Sequence, residues 1–440
     1  MTNPSVALVT FGCAKNLVDS EVMLGFLGRA GFRTVPDQTR ADIIILNTCG
    51  FIRASKDEAE DAIRAALEQK KGRGAKVVVT GCYAERYGKD LARRYPEVDA
   101  WIGVKDYDRI AAVVRGRDFR PGRRTFLYGH DTPRVLSTPR GWAYVKVSEG
   151  CSHECAFCAI PLIKGPYRSR PASSILRETE RLARGGVREI VLISQDTTFY
   201  GRDRGRQDAL ARLLHDLNRV PELRWVRFLY GYPEEITDAL LDALGLSKVC
   251  RYLDIPVQHA DPGVVRRMGR SVPGPRALKI LEKIRARVPG IAVRTSVIVG
   301  FPGEGRREFN RLAGFVRDAA FDHLGVFAYS PEEGTTAFPL GDPVPAAVKD
   351  RRREKILEIQ AGVSAAKLRA RVGTTLDVLI EGRYERSDRL LFGRARFQAP
   401  EVDGVVFIDR PARWIPHGDP IRSVEITAAD VYDLCGRIVS

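Results

Sequence analysis

Short apolar runs rich in β-branched residues recur along the chain, separated by longer stretches in which apolar positions return at the three-to-four-residue spacing of a helix. Near the start, VALVTFGC, ADIIILNTC and KVVVTGC each end in a cysteine. Between the second and third, ASKDEAEDAIRAALEQKK reads as an amphipathic helix. Strand, helix and strand in this order build a parallel sheet, because parallel neighbours need a crossover and cannot be joined by a tight turn. All strand C-termini then share one edge, and Cys13, Cys49 and Cys82 are predicted to meet there.

From Trp142 the alternation begins again, in six apolar runs: AYVKVSE, EIVLISQ, WVRFLYG, YLDIPVQ, VRTSVIVG and HLGVFAYS. A repeated βα unit of this kind predicts a complete or partial (β/α)6 barrel whose C-terminal mouth carries the chemistry. After the helical run VKDRRREKILEIQAGVSAAKLRARV come TLDVLIEG, LLFGRARF, GVVFIDR and IRSVEITAADVYDLCGRIVS, short strands with turn residues. They predict a small antiparallel β-barrel of the oligonucleotide-binding kind. The chain is thus read as α/β with three domains, 1–133, 134–370 and 371–440, and GRDFRPGRR at 116–124 as a linker or exposed turn.

At 440 residues and 44% hydrophobic, the chain has room for more than one core. No apolar run approaches the ~18 residues of a membrane span, and MTNPSVALVTFGC lacks the layout of a secretion signal, so a cytoplasmic protein with no membrane partner is expected. Eight cysteines are too few for a disulfide scaffold, and their clustering suits thiols that serve as ligands in a reducing compartment. A net charge of +16 suggests an acidic partner, often nucleic acid. The last segment weakens that reading: Val372 to Ser440 holds nine Arg and no Lys against eleven Asp and Glu. A domain without basic surplus is a poor RNA clamp and suits a basic client. The positive excess lies earlier, for instance in Arg115 to Arg140 with seven Arg against two Asp, a stretch that reads as solvated, flexible surface.

GCSHECAFC packs Cys151, Cys155 and Cys158 into eight positions and offers no fourth cysteine nearby. A structural zinc ion asks for four ligands in a closed tetrahedron, and His153 sits too close to Cys151 along the chain to reach the last corner easily. An iron–sulfur cubane held by three thiolates leaves one iron open to an outside ligand. The spacing CxxxCxxC, with Phe157 before the last cysteine, resembles the cluster loop of the radical S-adenosylmethionine enzymes. That resemblance implies a partial six-stranded barrel and an open iron chelated by S-adenosylmethionine, which is cleaved by one electron to a 5′-deoxyadenosyl radical. A second set of three cysteines ahead of such a core looks like the methylthiotransferases, which insert sulfur and a methyl group into an unactivated C–H bond. Taken singly, Cys13, Cys49 and Cys82 would pass as small buried residues at strand ends, and Cys250 and Cys435, without partners in the pattern, are read as core.

Two branches of methylthiotransferases share the three-domain plan with a C-terminal TRAM domain: one acts on adenosine in transfer RNA, the other on an aspartate of small-subunit ribosomal protein twelve. GCAKNLVDSE, NTCGFI, KVSEGCSHECAFCAIPLIKGPYRSRP, ISQDTTFYG, YLDIPVQHA and VGFPGE resemble the second, the RimO family, from about Val6 to the last strand. Ala14 departs from the family, which usually has proline after its first cysteine. The resemblance implies two 4Fe–4S clusters, on Cys151, Cys155 and Cys158 and on Cys13, Cys49 and Cys82, with an electron donor such as flavodoxin or ferredoxin. It also implies that one S-adenosylmethionine methylates sulfur at the second cluster and another supplies the radical that takes hydrogen from the aspartate β-carbon, which then captures the methylthio group. Candidate S-adenosylmethionine contacts are Phe157, Gln195 and Asp196 after the second barrel strand, Gln258 and His259 after the fourth, and Gly300 and Glu304 in VGFPGE. RRREKILEIQ is read as a solvated helix face without chemistry. The alternatives are the transfer-RNA enzyme and a non-catalytic metal-binding protein that docks on ribosomes.

Overall fold

The computed structural model describes residues 3–117, 122, 125–387, 389–409 and 419–439, so most of the expected linker at 116–124 lies outside the described residues. The N-terminal sheet is five-stranded and parallel, in the order β2-β1-β3-β4-β5, with β1 Ser5–Thr10, β2 Arg33–Thr34, β3 Ile43–Thr48, β4 Lys76–Gly81 and β5 Ala100–Ile102. The two strands not anticipated, β2 and β5, are short edges with little apolar sequence to mark them. Helices α1 Ala14–Arg29, α2 Arg53–Arg73, α3 Cys82–Arg94 and α4 Ile110–Val114 make the crossovers and cover both faces. Strand parity divides the burial: Ile43 and Ile45 pack with Met23 and Leu27 of α1, while Ile44 and Leu46 pack with Ile63 and Ala66 of α2.

All six anticipated barrel strands form: β6 Trp142–Lys146, β9 Glu189–Ile193, β10 Trp225–Phe228, β11 Tyr252–Asp254, β12 Ala292–Val299 and β13 His323–Ala328. A two-stranded ribbon, β7 Ser148–Glu149 with β8 Arg168–Ser169, follows β6. The parallel sheets β6-β9-β10 and β11-β12-β13 meet through a bridge between Val226 and Val249, which leaves β6 and β13 unjoined and the barrel open along one side. Around it lie α5 Ile160–Lys164, α6 Ala172–Arg184, α7 Ala209–Asn218, α8 Asp238–Ala243, α9 Pro262–Arg267, α10 Gly274–Arg287, α11 Arg306–Ala319 and α12 Ala346–Arg369. Among the described residues no helix is long and apolar enough to cross a membrane.

The C-terminal strands β14 Thr375–Arg383, β15 Leu390–Ala395, β16 Val406–Asp409, β17 Ile421–Ala429 and β18 Leu434–Ile438 close a barrel in the order β14-β15-β16-β18-β17. Four seams are antiparallel and one, β16 with β18, is parallel, because the last strand returns beside the third to close the barrel. Cys250 is buried as expected, but Cys435 is exposed: on β18, Leu434 and Gly436 point inward and Cys435 outward.

The small barrel plugs the large one. Residues of one strand parity, Ala143, Val145, Ile190 and Leu192, pack under the surrounding helices. Those of the other parity, Trp142, Tyr144, Val191, Trp225 and Tyr252, share a core with Leu379, Leu391, Phe397 and Val406 of the C-terminal domain and with Val18 and Val22 of α1. At the centre the buried Glu189 receives Arg227 Nε at 2.8 Å and Arg394 Nη2 at 2.7 Å, and Arg394 also reaches Glu381 at 2.6 Å. Burial would raise the Glu189 carboxyl, but the two guanidiniums outweigh it and hold it below its usual range.

A second buried network joins the N-terminal domain to the barrel. Lys146 Nζ pairs with Asp19 of α1 and with Glu149 Oε2 at 2.7 Å, and Lys164 Nζ stands 3.2 Å from Asp19 and 3.6 Å from Glu149. Beside it Arg134 holds Glu21 Oε2 at 2.6 Å and Glu178 Oε1 at 2.8 Å. Arg134 thus departs from the solvated reading of the segment Arg115 to Arg140: two buried carboxylates compensate its charge and draw it inside.

Removing a buried partner strands the opposite charge, so Glu189→Ala is expected to cost about 3–5 kcal/mol in denaturant unfolding; a loss below about 1 kcal/mol, the value of a surface pair, would show that the plug does not depend on it. Burial would raise the Glu149 carboxyl, but Lys146 and Lys164 outweigh it and hold it down to about 2. A carboxyl depressed on folding adds stability that is complete above its unfolded value of 4.5 and is lost as pH falls toward 2. Glu149→Gln should therefore lower the melting temperature of the apoprotein near neutral pH, by a margin that shrinks across that acid window in calorimetry.

Candidate functional site

Both thiol triads sit where strands end. Cys13 follows β1 as the N-cap of α1, Cys49 follows β3, and Cys82 opens α3 directly after β4. The loops touch: Gly12 has φ +96°, and a Cβ there would stand 2.8 Å from Cys49 Cβ, closer than a side chain can sit. Asn16 stitches the three together. Its Nδ2 donates to the carbonyls of Phe11 at 3.0 Å and Thr48 at 3.3 Å, and its Oδ1 lies 3.7 Å from Cys82 Sγ. The thiols are graded in depth, with Cys13 exposed, Cys49 half-buried and Cys82 buried. Burial pushes Cys82 up to about 12 against the opposing pull of Lys164 and raises Cys49 as well.

Cys151, Cys155 and Cys158 lie on the loop after β7, at the C-terminal mouth of the barrel. Gly150, at φ +82°, makes the entry turn, where a Cβ would come within 2.2 Å of the Pro166 carbonyl. The loop is pinned by the Ala156 amide donating to the Met268 carbonyl at 2.9 Å and the Ala337 amide donating to the Ala156 carbonyl at 2.8 Å. Two groups converge on Cys155 Sγ: the Tyr232 hydroxyl lies 2.8 Å away, and Arg270 Nη1 donates at 3.6 Å. His153 is committed elsewhere, its Nε2 2.5 Å from Asp196 Oδ2 and its ring stacked on Tyr232 at 3.7 Å between centroids. Burial raises Cys151 to about 11 and Cys158 to about 12, so a metal's positive charge is what would hold them as thiolates.

Among the described residues no three His, Cys, Asp or Glu side chains gather as the ligand set of one metal ion. A cubane asks something different, since each thiolate binds a separate iron. Sulfur-only donor sets, deep thiols that need a metal to ionise, and a His153 already paired with Asp196 fit a cluster with an open corner at each triad.

The other expected residues all follow the C-terminal ends of barrel strands but differ in what they have free. Gln195 donates through Nε2 to Glu149 Oε1 at 3.0 Å, while its buried Oε1 has no partner among the described residues. Asp196 is fully engaged: Oδ1 accepts from Thr198 N at 2.9 Å and Phe199 N at 3.2 Å, and Oδ2 holds His153. Gln258 sits at φ +70°, a sparsely populated conformation for a residue other than glycine. Buried His259 accepts the Asp261 amide at Nδ1, 3.0 Å, and its Nε2 is left without a hydrogen-bond partner 3.5 Å from Glu304. Glu304 is buried and internal, accepting from Gly300 N at 2.6 Å and Arg352 Nη1 at 2.8 Å. Arg352 belongs to RRREKILEIQ, so that helix face is more than solvated surface. Phe157 packs on the apolar cluster of Val264, Met268, Phe301 and Tyr329.

Arg270, Tyr232, Tyr230 and Lys15 were not singled out in the sequence. The first two follow α9 and β10 and reach the cysteine loop only through folding, so spacing carries no sign of them. Lys15 and Glu149 did leave one, as neighbours of Cys13 and Gly150 in GCAKNLVDSE and KVSEGC.

Residues 5–103 match the family described as Uncharacterized protein family UPF0004, residues 145–316 the Radical SAM superfamily and residues 372–439 the TRAM domain. Among solved structures, the fold resembles the radical S-adenosylmethionine methyltransferase TsrM from Kitasatospora setae, with TM-score 0.56, 15% identity and coverage of 76% of this chain and 77% of that one. It also resembles the S-adenosylmethionine radical enzyme OxsB, with TM-score 0.51, 14% identity and coverage of 81% and 56%. The protein named ribosomal protein uS12 methylthiotransferase RimO from Syntrophotalea carbinolica is 44% identical, covering 99% of this chain and 96% of its own. The protein of the same name from Geobacter sulfurreducens is 43% identical, over 99% and 98%. Similarity of that strength from end to end, across both thiol triads and all three domains, means that this chain belongs to the RimO family of ribosomal protein uS12 methylthiotransferases.

Proposed function

We propose that the chain is a radical S-adenosylmethionine methylthiotransferase that modifies ribosomal protein uS12 at the β-carbon of an aspartate. The observation that carries this reading is the pair of thiol triads, one in each of the first two domains, joined through buried lysines in a chain that matches such enzymes over its full length. Division at 133/134 and 370/371 is part of the proposal, supported by the three separate strand systems. So are a cytoplasmic location and an electron donor such as flavodoxin or ferredoxin. The mildly acidic C-terminal segment suits a basic ribosomal protein better than the phosphates of transfer RNA.

Cys151, Cys155 and Cys158 would hold one 4Fe–4S cluster and Cys13, Cys49 and Cys82 the other. When bound, the first supplies the electron that turns S-adenosylmethionine into a radical source and the second presents the sulfur to be transferred. The chain's own contribution is placement. Arg270 and the Tyr232 hydroxyl donate to Cys155 and stabilise negative charge on its sulfur. The unpartnered Gln195 Oε1 is a buried polar atom ready for a ligand, and Phe157 with the Phe301 cluster offers an apolar wall. Asp196 orients His153 and caps its own turn, so its role is to position the site.

After anaerobic reconstitution, the enzyme is expected to add one methylthio group to an aspartate-containing uS12 peptide, read by mass spectrometry, and to leave transfer RNA unchanged; a product on RNA alone would overturn the proposal. Cys151→Ala should abolish 5′-deoxyadenosine formation, whereas Cys13→Ala should retain it and lose the methylthio product. Arg270→Met should shift the reduction potential of the first cluster to more negative values in a spectroscopic titration, because a charged donor to sulfur favours the electron-rich state.

A further inference from the structure

Lys15 belongs to the N-terminal domain, on the first turn of α1 two residues beyond Cys13, yet its ammonium lies at the mouth of the barrel. Its Nζ stands 3.3 Å from the centroid of the Tyr230 ring, just past the end of β10. Tyr230 is firmly placed, with φ +65°, its amide donating to Asp254 Oδ2 at 3.1 Å and its carbonyl accepting from the Thr197 amide at 2.7 Å. The aromatic face therefore fixes where the ammonium sits.

What Lys15 lacks is a carboxylate of its own. The other two lysines at this domain junction, Lys146 and Lys164, each face two carboxylates. Among the described residues Lys15 forms no ion pair; the acidic groups beside it are the Tyr230 hydroxyl, the Cys13 thiol and Asp254, and Asp254 is occupied by the Tyr230 amide and by Arg294 at 3.3 Å. The neighbouring Arg294 is ion-paired with Asp254 and Asp403, at 3.3 and 3.4 Å. An ammonium has three donors, and a tyrosine cannot satisfy them all. A half-buried cation on an aromatic ring, two residues beyond Cys13 and without a carboxylate of its own, is a receptor for one.

We infer that Lys15 is the residue that recognises the target side chain: its ammonium takes the carboxylate of the client aspartate and thereby presents the adjacent β-carbon to both thiol triads. This inference rests on the proposed function and adds the determinant of its specificity. Aspartate carries its carboxylate one bond from the β-carbon, so a hold on the carboxylate also places the reacting carbon. Asparagine has the same shape without the charge and would lose the ion pair.

The test uses reconstituted holoenzyme and two labelled client peptides, one with the target aspartate and one with asparagine in its place, with binding read by fluorescence anisotropy. Wild type is expected to bind the aspartate peptide about tenfold more tightly, the discrimination of one charge-assisted contact. Lys15→Met should bind both peptides equally, at the weaker level, and Lys15→Arg should recover part of the preference. Iron, sulfide and the electron paramagnetic resonance of both clusters should match wild type in Lys15→Met, and 5′-deoxyadenosine should still form without methylthio product. If Lys15→Met keeps the aspartate preference, or loses the resonance of the N-terminal cluster, Lys15 is not the receptor, while a wild type that modifies the peptide leaves the proposed function standing. A wild type that modifies RNA and ignores both peptides overturns the function and the inference together.

Discussion

Two ammonium groups buried between domains, those of Lys146 and Lys164, set the geometry on which the rest of the molecule relies. Each needs anions that the barrel alone does not supply in full, and Asp19 of α1 joins Glu149 of β7 to meet that need. Asp19 lies on the helix that starts at Cys13, and Glu149 precedes the loop of Cys151 by one residue. Lys164 also follows Cys158 on α5 and pulls on the buried Cys82 thiol. A charge pairing that cannot be released without stranding a buried ion therefore links the mounts of both thiol triads.

Within that frame the two triads are tuned differently. Cys155 receives a guanidinium and a tyrosine hydroxyl, which stabilise charge on its sulfur, and His153 and Asp196 brace the tyrosine from behind. The N-terminal triad has an amide, Asn16, as its organiser and an exposed thiol, Cys13, at its rim. One centre is enclosed and hydrogen-bonded, as suits a site that delivers an electron. The other has an exposed thiol two residues from Lys15, the arrangement the proposed contact with a client needs.

The C-terminal barrel contributes more than a docking module. Through Arg394 it supplies half the positive charge around Glu189, and through Leu379, Leu391 and Phe397 it fills the open barrel from below. Its acidic residues serve the same junction, Asp403 accepting from the Tyr252 hydroxyl at 2.7 Å and Glu401 from the Tyr144 hydroxyl at 2.9 Å. Part of the negative charge that the sequence suggests is available to a basic client is therefore spent inside the molecule.

The parallel N-terminal sheet, the six barrel strands and the shared edge of Cys13, Cys49 and Cys82 were legible from the chain alone, because apolar periodicity and parallel connectivity are local properties that constrain where strand ends fall. The cysteine spacing was equally local and named the chemistry. Legible too were Gln195, Gln258 and Glu304 as residues of the mouth, though not that Glu304 is taken by Gly300 and Arg352 or that Asp196 is taken by His153. The fate of Arg134, the outward turn of Cys435, the plug of the barrel and the convergence of Lys15, Tyr232 and Arg270 on the thiol loops were decided only by tertiary structure. The physical reason is range: a charge finds its partner through space, often more than a hundred residues away, and nothing in the spacing of residues along a chain records which buried ions will meet.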